Sequence, residues 1–244
     1  KSDYFVAFLL SLTNRSNWEN HRFELESKAK LQHWFEFDSE DFDDFSFRAK
    51  LLADVDERSK VFVELRHGRA HEGRGAVDDE GGQNVTTFFD TSAEIGGKYD
   101  GGSIISTEAS AKIQRLNFGD NDLNNDDRDR DEYMVKNRWT YEDVPGSRFF
   151  LEPSINIQEF VDSFDDDDLN RDSVGWQLLA GLTIDYSGIT FLEFNAGYGA
   201  RSFTDFNFSE VDGLTMDGKI TWNVTGLTIF MVQRMTPLYT ANAS

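Results

Sequence analysis

The sequence predicts an all-β fold, an antiparallel up-and-down transmembrane β-barrel, and three observations support that prediction. The first is a strict alternation from His21 to Phe37, where odd positions are apolar, small or aromatic and even positions are polar except Trp34. A period of two means an extended strand whose two faces meet different environments. The second is length, because strands of soluble proteins usually run only about 5–6 residues. The third is a regular alternation of short and long connections along the chain.

Composition is compatible with one large all-β domain, since the chain has 244 residues and 39% hydrophobic content. No run approaches the roughly 18 consecutive apolar residues of a transmembrane helix, but barrel strands are apolar only at alternate positions. The net charge of −21 argues against a nucleic-acid partner, because phosphate binding needs clustered Lys and Arg. The chain has no cysteine, so neither a disulfide framework nor a thiolate metal site is available.

Twelve strands are predicted, and most of them show two distinct faces. Their approximate limits are 3–13, 20–37, 43–56, 59–71, 86–99, 102–116, 131–143, 147–160, 173–186, 189–203, 211–223 and 226–235. In the third and fourth strands, apolar residues alternate with charged ones such as Arg48, Lys50 and Glu64. The first and last strands alternate least regularly.

The later strands repeat this pattern, and aromatic residues often end their apolar stripes. Tyr133 and Tyr141 do so in the seventh strand, and Trp176 and Tyr186 do so in the ninth. Amphipathic rings suit a membrane–water boundary, so these ends resemble the aromatic girdles of outer-membrane barrels. The alternative is a soluble β-sandwich with aromatic residues at the ends of its core, which would predict shorter strands.

The connections support the barrel. Five are tight, at 56–59, 100–102, 144–146, 187–188 and 224–225, and they alternate with longer polar ones at 38–42, 72–85, 117–130, 161–172 and 204–210. Bacterial barrels have short periplasmic turns and longer extracellular loops. The same alternation places both ends of the chain on the extracellular side. We therefore expect 1–244 to be a single barrel domain that is incomplete at both ends, part of a barrel of 14 or more strands.

Several short motifs carry a resemblance to a known family. They are Asp127-Arg-Asp129, Phe149-Phe-Leu-Glu-Pro153, Asn170-Arg-Asp172, Gly175-Trp-Gln-Leu-Leu-Ala-Gly-Leu182, Gly197-Tyr198, Asp212-Gly-Leu214 and Thr221-Trp-Asn-Val-Thr225 with Leu227. A weaker match covers Asp3 and 16–21. The chain resembles the outer-membrane β-barrel porin family that often accompanies exopolysaccharide loci in Gram-negative bacteria. The resemblance implies a bacterial outer-membrane location, with polysaccharide and its export machinery as partners, and it brings no catalytic residues.

Charged residues at the polar positions of the strands are the candidate lumen lining. They are Arg22, Glu24, Glu26, Lys28, Lys30, Arg48, Lys50, Glu64, Arg66, Glu94, Glu108, Lys112, Lys136, Arg138, Glu152, Glu193, Arg201, Asp217 and Lys219. Fixed charges in a hydrated lumen could select or guide a polar solute. The same residues could instead form cross-strand ion pairs that only solvate the interior. Both signs are interleaved, so strong selectivity for anions or cations does not follow.

Two acidic loops are the candidate metal sites. Carboxylate oxygens at this density suit Ca²⁺ or Mg²⁺, and the candidate ligands are Asp120, Asp122, Asp126, Asp165, Asp166 and Asp167. The first loop lacks the Gly and distal Glu of an EF-hand, so a solvated acidic loop is the alternative. A bound divalent cation there would bridge to lipopolysaccharide. No other cofactor is expected.

No catalytic motif is present, so the chain is predicted not to be an enzyme. Gly-x-Ser-x-Gly, His-Glu-x-x-His and a phosphate-binding glycine loop are all missing from the sequence. Three functions stay open: a passive, porin-like outer-membrane channel with a role in exopolysaccharide export, a plugged structural barrel that anchors a surface polymer or assembly, and a soluble carbohydrate-binding β-sandwich. The expected partners are outer-membrane lipid and lipopolysaccharide.

Overall fold

The computed structural model describes residues 4–74, 84–102, 104–119, 125–165, 167–225 and 228–236. The strands are β1 Phe5–Arg15, β2 His21–Trp34, β3 Phe42–Asp54, β4 Ser59–His71, β5 Thr87–Asp100, β6 Ile105–Phe118, β7 Arg130–Val144, β8 Ser147–Phe160, β9 Ser173–Asp185, β10 Thr190–Phe203, β11 Val211–Thr225 and β12 Thr228–Thr236. Two 3-10 turns lie at Asp38–Glu40 and Asn125–Arg128. No helix in the described part of the chain is long and apolar enough to cross a membrane.

All twelve strands belong to one antiparallel sheet in which each strand pairs with its sequence neighbours, in the order β1 to β12. The predicted up-and-down topology is therefore confirmed. A β-sandwich consists of two packed sheets, so the single sheet seen here does not fit the soluble β-sandwich considered above. Within the described residues β1 pairs only with β2 and β12 only with β11, and the sheet does not close on itself there.

Most strand limits agree with the predicted ones, but β2 ends at Trp34 rather than at residue 37. The alternation continues to Phe37, whereas the paired residues of β2 end at Trp34, with one further backbone hydrogen bond from the Phe35 N–H to the Tyr4 carbonyl oxygen at 3.1 Å. The Trp34 backbone N–H donates to the Asp41 carboxylate at 2.7 Å, and the Asp38–Glu40 turn follows. β3 begins at Phe42, which pairs with Gln32, so the residues after Trp34 have no partner on β3. The alternating pattern in the sequence therefore extends beyond the end of the strand.

The register gives the sheet two chemically distinct faces, because side chains alternate across a strand. We call them the charged face and the apolar face. On the charged face one row of paired residues runs Glu24–Lys50–Glu64–Glu94–Lys112 across five strands. The apolar face instead leaves large hydrophobic side chains such as Leu65, Ile95 and Ile155 about half exposed. No described part of the chain forms a layer over these residues.

Short and long connections lie at opposite edges of the sheet, as predicted. The short edge has the connections 16–20, 55–58, 101–104, 145–146, 186–189 and 226–227, and the long-loop edge has 35–41, 72–86, 119–129, 161–172 and 204–210. Aspartates close several short turns: the Asp56 carboxylate accepts the backbone N–H groups of Arg58 and Ser59, both at 2.7 Å. Gly146 has φ 86°, a conformation that favours glycine in so tight a turn.

Candidate functional site

Every predicted lumen residue lies on the charged face. A continuous series of strand pairings, from Arg15–Glu24 in β1 and β2 to Glu193–Lys219 in β10 and β11, establishes this placement. Neighbouring charges often pair across strands, for example Arg138 Nε with Glu152 Oε2 at 2.7 Å. The face is therefore a continuous surface of paired and unpaired charges, with polar uncharged side chains between them.

Glu64 is the centre of the densest part of this surface, and its side chain is only 5% exposed. Its carboxylate accepts from Arg48 Nη2 at 3.0 Å and lies 3.1 Å from Lys50 Nζ. Arg66 Nη2 and Nε contact the second oxygen at 2.5 Å and 2.6 Å. A buried carboxylate is tolerated only when it is paired, and here three cations share one. The sequence pattern identified all four residues but not Glu64 as their common partner.

Arg48 and Arg66 are directly opposite each other in the β3–β4 register. Like charges placed so are unfavourable unless an anion lies between them, and Glu64 supplies it. Arg48 Nη1 also lies 3.3 Å from Glu24 and 3.7 Å from Glu26. Its Nε atom is buried and has no hydrogen-bond partner among the described residues.

A cavity of about 810 Å³ opens on the charged face above this cluster. Its lining includes Lys28, Ser46, Arg66, Gly68 and Asp90, which come from four successive strands. Cavities that hold small molecules usually measure about 300–1,000 Å³. The cavity is therefore large enough for a small polar solute.

Two phenylalanines also lie on the charged face, although the predicted lumen lining contained only charged residues. A Cβ on Gly96 would lie 2.5 Å from the Phe62 ring, and one on Gly181 would lie 2.1 Å from the Phe150 ring. Each ring thus covers a glycine on the next strand, with Lys50 Nζ 4.8 Å from the centre of Phe62. The sequence could have identified these contacts only by pairing an aromatic residue at a polar position of one strand with a glycine of the next strand. That pairing requires the register, which the sequence pattern does not provide.

At the long-loop edge, side chains from the loops pack onto the charged face. Arg128 of the 119–129 loop is buried and forms two hydrogen bonds with Glu72 of the 72–86 loop, at 2.5 Å and 3.1 Å. Its guanidinium carbon lies 4.2 Å from the centre of the Phe118 ring. Thr86 is the most buried residue among those described, at 1% exposure. Thr86, Arg128 and Ser173, all less than a tenth exposed, therefore lie at this end of the sheet.

Arg171 makes the matching connection from the next loop. Its Nη2 lies 2.9 Å from Asp127 and its Nε lies 3.3 Å from Asp165. Its guanidinium carbon is 4.6 Å from the centre of the Phe160 ring. Three long loops are therefore joined to one another and to the strand ends beneath them by arginine.

The predicted metal ligands are only partly described. Asp120, Asp122 and Asp166 lie outside the described residues, as does the side chain of Asp126. Asp165 is described, and its carboxylate accepts the backbone N–H groups of Asp167 and Leu169 besides contacting Arg171. The described residues hold no group of three or more His, Cys, Asp or Glu that could bind a metal ion.

The loops that join the strands at the long-loop edge are strongly acidic in sequence. Loops 35–41, 72–86, 119–129, 161–172 and 204–210 hold 21 of the 45 acidic residues and 3 of the 24 Lys and Arg. Backbone N–H groups lower the pKa of two carboxylates in these loops. The Trp34 N–H lowers the pKa of Asp41, with His33 adding to the effect, and the Asn207 and Asn170 N–H groups lower the pKa of Asp205.

Comparisons with known proteins agree with this geometry. A family model described as "Putative beta-barrel porin 2" matches residues 1–243. Among solved structures the chain is similar to OmpTdeltaL8, a loop L8 deletion mutant of OmpT, an outer membrane protein of Vibrio cholerae, with a TM-score of 0.52 and 14% identity. That similarity covers 81% of this chain and 61% of the other, so this chain spans less than two thirds of that protein. A search of curated proteins finds no match.

Proposed function

The chain belongs to the family described as putative beta-barrel porin 2, and from that premise we propose that it forms a channel for small polar solutes. It is an outer-membrane β-barrel protein, as both the family and the solved neighbour indicate. The proposed transport is passive diffusion along the charged face, and no residue is assigned a catalytic step.

The observation that carries the proposal is the contrast between the two faces of one sheet. The apolar face exposes residues such as Leu151, Ile155 and Trp176, which suit contact with lipid. The charged face keeps Glu24, Lys50 and Glu94 in register across neighbouring strands, which suits a hydrated interior. A plain structural wall would need no cavity on that face.

Single-channel conductance of the full-length protein in planar bilayers tests the proposal. We expect discrete conductance steps that grow with salt concentration, because small ions would carry the current through water. A correctly folded protein that inserts into the bilayer and gives no steps would contradict it. That result would support the plugged structural barrel, for which the packing of Arg128 and Arg171 at the long-loop edge is the favouring observation.

A finer proposal concerns the solute. The resemblance to porins of exopolysaccharide loci supports a hydroxyl-rich polymer or its fragments. On the charged face, β9 to β11 present Gln177, Thr183, Asn195 and Thr215, whose amide and hydroxyl groups suit sugar hydroxyls. Oligosaccharide-dependent blockade of the channel current tests this, and a current insensitive to neutral and acidic oligosaccharides would contradict it.

The membrane partners are also proposed. Arg69 pairs with Asp43, and Arg115 with Asp131 at 2.5 Å, on the apolar side close to the long-loop edge. Such charges lie where lipopolysaccharide phosphates would be, and the acidic loops above them could share Ca²⁺ or Mg²⁺ with those phosphates. Calorimetric titration of the folded protein with Ca²⁺ and Mg²⁺ tests the metal, and absence of heat would remove it.

A further inference from the structure

The cavity on the charged face has the form of a shallow bowl, which we define by its floor and its ends. Ser46 and Gly68 are paired in register and form the floor, since neither projects a long side chain. Lys28 is the partner of Ser46 on one side, and Asp90 is the partner of Gly68 on the other. With strands about 4.8 Å apart, these two ends are about 14 Å from each other. One sugar ring fits between them.

Cations are concentrated in this bowl, where they match the acids in number although the whole protein is strongly negative. Arg48 and Arg66 occupy the next row toward the short edge, and Lys30 occupies the row toward the long loops. Lys30 has no carboxylate within 4.0 Å among the described residues, because its charge lies instead 4.6 Å from the Phe42 ring centre. The five cations of this region are Lys28, Lys30, Arg48, Lys50 and Arg66, and its five acids are Glu24, Glu26 and Glu64, which are paired with them, and Asp44 and Asp90 on the rim.

Two details show that the hydrogen-bonding capacity of these cations is not fully used within the described residues. Arg48 and Arg66 are opposed like charges that share Glu64 alone as a close common partner. The Arg48 Nε–H is buried without an acceptor. Buried donors normally find partners, so the described residues leave this guanidinium incompletely hydrogen-bonded.

Two acids of the bowl offer acceptors: Asp90 at one end and Asp44 beside Lys30. Asp90 Oδ1 accepts from Gln114 Nε2 at 2.7 Å, and Asp44 is bonded by His71 Nδ1 at 2.9 Å. A carboxylate has about four acceptor positions, so both residues keep capacity for hydroxyl groups. The bowl therefore combines the cationic donors Lys28, Arg48 and Arg66 with the hydroxyl acceptors Asp44 and Asp90.

We propose that this bowl binds the anionic group of a small hydroxylated solute, the chemical class of sugar acids and sugar phosphates. The carboxylate or phosphate lies against Arg48, Arg66 and Lys28, and the hydroxyl groups donate to Asp90 and Asp44. The inference rests on the proposed channel function, for which it names the solute class. It gives the charged face a point of selection that alternating charges alone do not create.

Calorimetry on the full-length protein in detergent micelles tests the bowl directly, with glucuronate, glucose and glucosamine as probes of equal ring size. We expect glucuronate to bind about tenfold more tightly than glucose, the gain typical of a charge-assisted hydrogen bond, and glucosamine to bind least. Inorganic phosphate separates the two parts of the proposal, since it has the charge without the sugar hydroxyls. Phosphate binding as tight as that of glucuronate would overturn the hydroxyl contacts.

Two variants and their controls localise the binding. Arg66→Gln removes one of the opposed cations while Glu64 keeps Arg48 and Lys50, and we expect about a tenfold loss of glucuronate affinity. Arg138→Gln removes one cation of the same face outside the bowl and is the matched control. Ser46→Phe fills the floor without changing charge and should also abolish binding, whereas Ser154→Phe, on β8, should not. Equal losses in Arg66→Gln and Arg138→Gln would overturn the site.

Conductance measured on the same preparations separates this inference from the channel itself. A protein that conducts ions but does not prefer glucuronate over glucose keeps the channel and refutes the bowl. A protein that binds glucuronate in the Arg66-dependent manner but gives no conductance keeps the bowl and refutes the channel.

Discussion

Arg128 and Glu72 are 56 residues apart in the sequence and form a two-pronged ion pair at 2.5 Å and 3.1 Å. The pair joins the 119–129 and 72–86 loops over Phe118, at the long-loop edge of the charged face. Planar guanidinium and carboxylate groups match each other in this geometry, which makes the contact stronger than a single charge pair. The two loops are thus fixed relative to the sheet at this point.

Arg128→Gln should loosen this end of the protein, because it leaves the buried Glu72 carboxylate without its cation. We expect a loss of about 3 kcal/mol in the free energy of unfolding and a higher conductance. Denaturant unfolding in vesicles measures the change in the free energy of unfolding. Recordings in planar bilayers measure the change in conductance. Arg148→Gln is the control, since its pair with Glu142 is largely exposed and should contribute at most about 1 kcal/mol. Equal effects of the two changes would contradict the structural role of Arg128.

Glu64→Gln should destabilise the sheet and change ion selectivity together. The opposed Arg48 and Arg66 would lose their shared carboxylate, at an expected cost of about 3 kcal/mol. The reversal potential in a salt gradient should move toward anion selectivity. Glu108→Gln also removes one acidic charge from this face, at an exposed position, so it should move the reversal potential with little change in stability. An unaltered unfolding curve for Glu64→Gln would count against the cluster.

Two adjacent residues of β8 should differ in how strongly a substitution by lysine destabilises the protein. Ile155 is 55% exposed on the apolar face, so Ile155→Lys would put an ammonium into lipid at an expected cost of about 2–4 kcal/mol. Ser154 lies on the charged face, and Ser154→Lys should cost little. The measurement is folding of each variant into lipid vesicles. Similar costs for both would show that the apolar face does not contact lipid.

Gly181→Ala should displace the Phe150 ring, since a Cβ there would lie 2.1 Å from a ring carbon. Arg138 lies 4.1 Å from the centre of that ring and would have to move with it. We expect a loss of about 1–3 kcal/mol, the usual cost of overpacking. Gly213→Ala is the matched control, because nothing lies within 4 Å of a Cβ at that position. Thermal unfolding of both variants decides the matter, and equal stability would refute the contact.

The 204–210 loop should respond to acid through Asp205. The Asn207 and Asn170 N–H groups donate to its carboxylate at 2.9 Å and 3.2 Å and lower its pKa below the usual value near about 3.9. A carboxylate of this kind stabilises its loop at higher pH, and the contribution is lost as pH falls through the lowered pKa. Protection of the Asn170 and Asn207 amides against hydrogen exchange should therefore fall in acid. Asp205→Ala should remove that dependence, and protection independent of pH in the unmodified protein would contradict it.

Local pattern determined much of this protein. Alternation at period two defined the strands, and in β4 and β8 it gave the limits that the structure shows. It also assigned each predicted lumen residue to one face, because parity along a strand needs no knowledge of its neighbours. The order of short and long connections gave the up-and-down topology for the same reason. These are properties of successive residues.

Contacts between distant residues were decided only by the tertiary structure. Glu64 becomes the shared partner of Arg48, Lys50 and Arg66 through a register that alternation leaves undetermined. β2 stops at Trp34 because a carboxylate seven residues later takes its N–H, and the bowl exists because Ser46 and Gly68 meet side by side. A one-residue slip would preserve every strand pattern and abolish all of these contacts. The physical reason is that pairing energy depends on register across strands, whereas the sequence pattern reports only alternation along them.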